Sequence, residues 1–270
     1  MCEECGCGLP GETAPTVSSH HHDHEHEHHH DHAHAHSHEH PHSHEHGTLD
    51  LRRRILDTND RLAERNRGFF RARGMLALNV MSSPGAGKTE LIRATISGLG
   101  ARLKTAVIVG DLATDNDAQR LRAAGAPVVQ VNTGTVCHLD AEMVARAMKQ
   151  IPLNGIQLLI IENVGNLVCP ASFDLGEDLR VALLSVADGE DKPLKYPPAF
   201  ASAKAVIISK MDLAQACEFK REQALSNIRR MAPGADVFET SARTGAGMDA
   251  WRDYLVQQHQ KSGERDPLAA

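Results

Sequence analysis

Apolar residues cluster in short runs along the chain, at residues 75–81, 105–110, 128–131, 158–161, 181–186, 205–208 and 236–238. Runs of this length, rich in Val, Ile and Leu and bounded by polar or turn-forming residues, read as buried strands. Between them the pattern becomes helical at 90–96, 118–124, 141–149 and 248–258, the last with Trp251 and Leu255 facing inward. Residues 49–73 form a longer amphipathic stretch. Its apolar members are Leu51, Ile55, Leu62, Phe69 and Phe70, set among many Arg and Asp. Leu51, Ile55 and Leu62 fall at helical spacing, which assigns them to core packing.

The first 47 residues follow neither period. From His20 to His46 nearly every residue is His, Asp or Glu, and sixteen of the 18 histidines lie there. A segment this polar cannot bury enough apolar surface to fold, so a disordered tail is expected. Neutral imidazoles at this density bind several Ni²⁺, Zn²⁺ or Cu²⁺ ions. Cys2, Cys5 and Cys7 add a C-x-x-C-x-C cluster with glycines that let the backbone wrap. Three thiolates with the N-terminal amine make a planar S/N set that suits Ni(II), with Zn²⁺ as a competitor for the same sulfurs. The expected organisation is a metal-binding tail over 1–47, a helix over 48–74, an α/β domain over 75–260 and a frayed end over 261–270.

A chain of 270 residues and formal charge −6 suits one α/β domain with extensions. Mild acidity without a basic stripe argues against nucleic acid as a partner. No apolar run reaches transmembrane length and no apolar signal region opens the chain, so no membrane role is expected and the cytoplasm is.

Residues 82–89, Ser-Ser-Pro-Gly-Ala-Gly-Lys-Thr, match the phosphate-loop pattern G-x-x-x-x-G-K-[ST] with Ser82 in place of the first Gly. A strand precedes them and a helix follows. Free backbone N–H groups and the positive end of the helix dipole then cradle phosphate oxygens. Gly85, Ala86, Gly87, Lys88, Thr89 and Glu90 are assigned to the nucleotide. Lys88 reaches the β- and γ-phosphates, and the Thr89 hydroxyl holds Mg²⁺. Asp111 ends the next strand, where a carboxylate holds Mg²⁺ through water. Asp115 and Asp117 either cap the following helix or belong to a switch loop, and Asp115 is the candidate for orienting the attacking water. Residues 162–165, Glu-Asn-Val-Gly, look like a D-x-x-G switch with Glu for Asp. They put Glu162 near Mg²⁺ and the Gly165 N–H near the γ-phosphate. Residues 209–212, Ser-Lys-Met-Asp, resemble the guanine-reading N-K-x-D pattern with Ser for Asn. The Asp212 carboxylate accepts from guanine N1–H and the 2-amino group, which adenine cannot supply. Lys210 lies along the base, and Ser241-Ala242 resemble the loop that offers N–H to guanine O6. Cys137-His138 and Cys169 lie in loops beyond two strands. Taken alone, each Cys is more often a small buried hydrophobe than a ligand.

Together these motifs resemble the hydrogenase nickel-incorporation GTPases, the HypB family, over residues 1 to about 259. The specific parts are the N-terminal C-x-x-C-G-C, the S-S-P-G-x-G-K-T loop, the C-H pair and the E-N-V-G-N-L-V-C-P stretch. The resemblance implies a three-layer P-loop NTPase with a mostly parallel sheet. It implies GTP hydrolysis, for which Lys88, Asp115 and Glu162 are the candidate catalytic residues read from the motifs above. It also implies a metal site of Cys137, His138 and Cys169 at the interface of a GTP-promoted homodimer. Its Ni²⁺ would pass, with other maturation proteins, to a hydrogenase large-subunit precursor. A metal store whose nucleotide domain controls assembly, and a urease-type maturation GTPase, are the alternatives.

Overall fold

The computed structural model describes residues 44–111 and 116–264. Seven strands form one sheet: β1 (Leu76–Ser82), β2 (Thr105–Asp111), β3 (Val128–Asn132), β4 (Leu158–Glu162), β5 (Leu179–Ser185), β6 (Ala205–Ser209) and β7 (Asp236–Glu239). Their order is β3-β2-β4-β1-β5-β6-β7, and every pairing is parallel. Each expected strand is present, with ends displaced by at most two residues.

The helices are α1 (His44–Ala72), α2 (Lys88–Leu99), α3 (Asn116–Ala123), α4 (Ala141–Met148), the short α5 (Cys169–Ser172), α6 (Lys192–Lys195) and α7 (Pro197–Ala201), then α8 (Arg221–Met231) and α9 (Met248–Glu264). Side chains of β1 alternate between the two faces, as a pleated strand requires. Leu76, Leu78 and Val80 enter a core with Leu91, Ile92, Trp251 and Leu255 of α2 and α9. Ala77 enters a second core with Phe70, Val144 and Met148 of α1 and α4, and Met81 a third with Phe200, Leu225 and Ile228 of α7 and α8. Helices therefore cover both faces, which gives the three layers expected. Because all strands run one way, every strand's C-terminal end lies on one edge. The loops leaving that edge carry the functional candidates.

Three details depart from expectation. Helix α1 begins at His44, inside the stretch assigned to the tail, and stops at Ala72. It closes with Gly74 at φ 63°, the Met75 N–H on the Phe70 carbonyl and the Gly74 N–H on the Arg71 carbonyl, a Schellman end. Its buried stripe is Asn59, Ala63, Asn66 and Phe70, whereas Leu51 is 59% and Phe69 36% exposed. The asparagines win the inward face because each meets backbone partners there. Asn59 accepts from the Ala141 N–H (2.9 Å) and donates to the Asp174 carbonyl (2.8 Å). Asn66 donates to the carbonyls of Ala141 (2.8 Å) and Leu175 (3.1 Å). At the other end, α9 runs on to Glu264, so residues 261–264 are helical and not frayed. Residues 1–43, with Cys2, Cys5, Cys7 and most of the His tract, lie outside the described residues.

Candidate nucleotide and metal site

The phosphate loop joins β1 to α2 through Gly85 (φ 72°) and Gly87 (φ 97°), left-handed conformations that L side chains rarely adopt. Helix α2 starts on Gly87 with no side-chain cap, and its first intrahelical bond is from Leu91 N–H to the Gly87 carbonyl. The amides of Lys88, Thr89 and Glu90 make up the first turn, whose N–H groups lack intrahelical acceptors. The Glu90 carboxylate pairs with Arg93 at 2.9 Å, so its offering to a nucleotide is its backbone. Lys88 is buried and donates to the Ser82 hydroxyl at 3.0 Å. Ser82, the departure from the general loop pattern, thus supplies a polar seat for the ammonium. Burial lowers the Lys88 pKa, opposed first by the Glu162 charge. From β6, Ser209 donates to the Ala86 carbonyl at 2.8 Å and Lys210 to the Gly85 carbonyl at 2.7 Å. The strand that leads to the base-reading candidates therefore also grips the phosphate loop.

Glu162 ends β4 beneath the loop and is 4% exposed. Its Oε1 accepts from the Thr89 hydroxyl at 2.7 Å, while Oε2 is buried with no partner among the described residues. Burial raises its pKa from 4.5 to about 7, against the Thr89 hydrogen bond and the Lys88 charge. A buried, unpartnered carboxylate oxygen beside a threonine hydroxyl fits a divalent cation. Asp111 and Asp117 act electrostatically on both Lys88 and Glu162, which puts them within range of that position. Asp117, expected either to cap the helix or to belong to a switch loop, lies in the first turn of α3. Asp115 lies outside the described residues.

The segment after Glu162 rides on the phosphate loop. Asn166 bridges to Ser82 in antiparallel fashion, and a Cβ on Gly165 would stand 3.1 Å from the Pro84 Cα. A side chain there would press on the loop backbone more tightly than most Cβ contacts do, so the loop would have to give way.

The base-reading candidates gather at the ends of β6 and β7. Asp212 Oδ1 accepts from the Ser241 hydroxyl at 2.5 Å, and Oδ2 from Arg243 Nε at 2.8 Å. The Ser241 bond first, then Arg243, holds its carboxyl below the usual range. The Ser241 N–H is bonded to the Ala246 carbonyl at 2.9 Å, so the amide left to face a base oxygen is that of Ala242. Lys210 sits at φ 61° with its chain spanning from β6 to the phosphate loop. Arg243 is the residue missed here; its place directly after Ser241-Ala242 was the available signal.

Cys137, His138 and Cys169 converge, their ligand atoms all within 4.8 Å of one another. Among the described residues this is the one cluster of its kind. The two thiols are hydrogen-bonded, Sγ to Sγ at 2.8 Å. His138 is 4% exposed, stacks on Phe173 with centroids 3.9 Å apart, and keeps Nδ1 buried and unpartnered. Burial lowers its pKa below 6.5, which favours the neutral ring a metal needs. Two sulfurs and one nitrogen leave a fourth position open. Cys137 is half-buried and the neighbouring Val168 is 53% exposed, so the cluster faces the surface. Phe173 was also missed, since nothing in its spacing marks a ring partner for a histidine. Among the described residues no helix is long and apolar enough to cross a membrane.

Residues 76–239 match the sequence model of the CobW/HypB/UreG nucleotide-binding domain. The hydrogenase maturation factor HypB of Escherichia coli K12 is 52% identical over 204 residues, which are 76% of this chain and 70% of that protein. A probable HypB of Methanocaldococcus jannaschii is 40% identical, covering 77% of this chain and 95% of that one. Among solved structures, Helicobacter pylori HypB in complex with nickel superposes with a TM-score of 0.72 at 37% identity, covering 76% of this chain and 96% of that chain.

Proposed function

The chain belongs to the HypB family of hydrogenase maturation factors, and from that premise we propose that it hydrolyses GTP to move Ni²⁺ onto the large-subunit precursor of a [NiFe]-hydrogenase. The observation that carries the reading is the placement of a metal-competent cluster directly beyond the phosphate-sensing segment. Cys169 lies four residues past Gly165 (169 − 165 = 4), and Gly165 packs on the phosphate loop. A nickel complex of a relative 37% identical in sequence supports Ni²⁺ as the cargo. Storage alone needs no phosphate loop, no buried Lys88 and no base-reading carboxylate.

In this mechanism Lys88 moves from the Ser82 hydroxyl to the β- and γ-phosphates, where its charge is worth most in the transition state. Gly85, Ala86 and Gly87 bring their backbone against the phosphates, and the Gly165 N–H faces the γ-phosphate. Mg²⁺ held by Thr89, Asp111 and Glu162 would neutralise charge on the phosphoryl oxygens. Asp115 orients the attacking water. Asp212 reads guanine with Lys210 beside the base and Ala242 N–H toward O6. Cys137, His138 and Cys169 hold the Ni²⁺ in transit, with Zn²⁺ as the competing ion. Cys2, Cys5 and Cys7 hold a second, tight site. GTP favours association of two copies, and the metal passes to the precursor in the cytoplasm together with other maturation proteins. The test is turnover of GTP against ATP, with and without Ni²⁺. Preference for GTP, altered by Ni²⁺, supports the reading; equal turnover of ATP overturns the base assignment, and indifference to Ni²⁺ overturns the delivery role.

A further inference from the structure

We propose that a buried chain of side-chain hydrogen bonds, Asn163–Asn79–Glu177–Arg180, sets the spacing of the two metal-bearing loops and ties it to the phosphate switch. The inference rests on the metal site proposed above and names the device that regulates it. Asn163 follows Glu162 directly and is 1% exposed. Its Oδ1 accepts from the N–H groups of Leu139 (3.1 Å) and Val164 (3.0 Å). Its Nδ2 donates to Asn79 Oδ1 at 3.2 Å. Asn79, fully buried in β1, donates in turn to Glu177 Oε1 at 3.2 Å. Glu177 accepts from Arg180 Nε (2.6 Å) and, through Oε2, from the Leu175 N–H (2.7 Å). Arg180 then donates to the carbonyls of Ala171 (3.0 Å) and Phe173 (3.2 Å).

Both amide orientations follow from groups that have one role only. The Leu139 N–H can only donate and the Glu177 carboxylate only accepts when ionised, so each Asn must point its oxygen toward the metal-loop end and its nitrogen toward Glu177. The chain therefore has a direction. One end holds the residue after His138. The other holds the segment carrying Cys169 and Phe173, the ring that stacks on His138. In between it passes through β1, the strand that becomes the phosphate loop. Buried polar groups cannot drop a partner cheaply, about 1–3 kcal/mol for each one left unsatisfied, so the loops move together or not at all. Asn59 and Asn66 of α1 grip Ala141 and residues 174–175 from the far side, by bonds this chain does not share. They keep the two loops folded when the chain is cut at Asn79.

Asn79 is a positioning residue: it touches neither nucleotide nor metal ligand. The test uses the full chain carrying Cys2→Ser, Cys5→Ser and Cys7→Ser, titrated with Ni²⁺ in GDP and in a non-hydrolysable GTP analogue. The readout is the thiolate-to-nickel charge-transfer absorbance, to which the His tract is silent. The unaltered Asn79 background is expected to show a ratio of affinities between the two nucleotides on the order of 5- to 150-fold. Asn79→Ala is expected to bring that ratio to about one while the band itself persists. A ratio unchanged by Asn79→Ala overturns the chain as the link. A ratio of one without the substitution also overturns the link but spares the metal site, provided the band appears; absence of the band overturns both. Should Asn79→Ala fail to fold, amide exchange on the unsubstituted chain decides. Protection of residues 137–141 and 169–175 must change together between the two nucleotides, and a change in one segment alone refutes the link.

Discussion

The phosphate loop and the metal cluster occupy the same edge of one sheet, on either side of Glu162, yet they are held in opposite ways. The loop is one continuous stretch whose working groups are backbone amides, with two buried charges, Lys88 and Glu162, unevenly compensated beneath it. The cluster joins residues 32 apart (169 − 137 = 32). Its working groups are side chains that burial keeps uncharged or hydrogen-bonded to each other, as His138 and the thiol pair show. The first region stores electrostatic tension that the proposed polyanion and cation would relieve. The second stores geometry, and its ligands meet only if two loops keep their places.

The largest expected effect separates the two outright. Lys88→Ala removes the charge proposed to act on the transferring phosphoryl group, and kcat for GTP should fall on the order of 10²–10³-fold. Nickel affinity measured without nucleotide should stay put, because Lys88 does not touch the cluster. A parallel loss of nickel affinity would mean that the two regions are one electrostatic unit.

The next effect tests the stored tension. A carboxyl raised from 4.5 to about 7 keeps its proton in the folded chain at pH values where the unfolded chain has lost it. The folded state then binds more protons, so stability falls as pH rises from 4.5 through 7 and levels off above. Glu162→Gln removes that dependence. The unliganded variant should match the parent near pH 4.5 and exceed it by roughly 2–4 kcal/mol at pH 8, while losing turnover. Denaturant unfolding at the two pH values measures this; a variant less stable than the parent at pH 8 would show that Glu162 is already neutralised in the free protein.

The contrast also explains what could be read without coordinates. The phosphate loop was legible because its chemistry needs a fixed local order: glycines for backbone approach, Lys88 and Thr89 at the helix start. The strands were legible because burial on both faces forces continuous apolar runs. The convergence of Cys137, His138 and Cys169 was not derivable from spacing; the family resemblance supplied it. The α1 face was misjudged for a related reason. Its inward stripe contains Asn59 and Asn66, and a polar residue reveals itself as buried only when its backbone partners, Ala141 and residues 174–175, are brought up by the fold. Asn163 stood in plain view within the Glu-Asn-Val-Gly motif, but its role depends on Asn79 and Glu177, distant in sequence.

Base selection gives the third effect, and it belongs to the charge-sensing side. Asp212 is already met by Ser241 and Arg243. Asp212→Asn cannot accept twice from guanine, so preference for GTP over ATP should drop about 10- to 100-fold, the worth of one or two hydrogen bonds to a charged group. Competition binding of the two nucleotides reads it directly. Undiminished selectivity would assign the discrimination to backbone groups near Ala242.

The smallest effect lies wholly within the metal side. Phe173 stacks on His138 at 3.9 Å with the rings 26° apart, and Arg180 fixes its carbonyl. The ring gives the imidazole a flat wall and excludes water from its face. Phe173→Leu keeps an apolar side chain of similar reach but removes the aromatic pairing, which is worth about 0.5–1.5 kcal/mol beyond area burial. Nickel affinity should therefore fall about 2- to 10-fold, with GTP turnover in the absence of nickel unchanged. Charge-transfer titration and a steady-state assay on the same preparation decide it. If turnover falls as well, then Phe173 reaches the phosphate side through Arg180 and Glu177, and the boundary between the charge-sensing and the geometry-holding regions must be drawn beyond Glu177. If neither changes, the wall is dispensable, and the thiol pair with the Leu139–Asn163 bond holds the cluster without it.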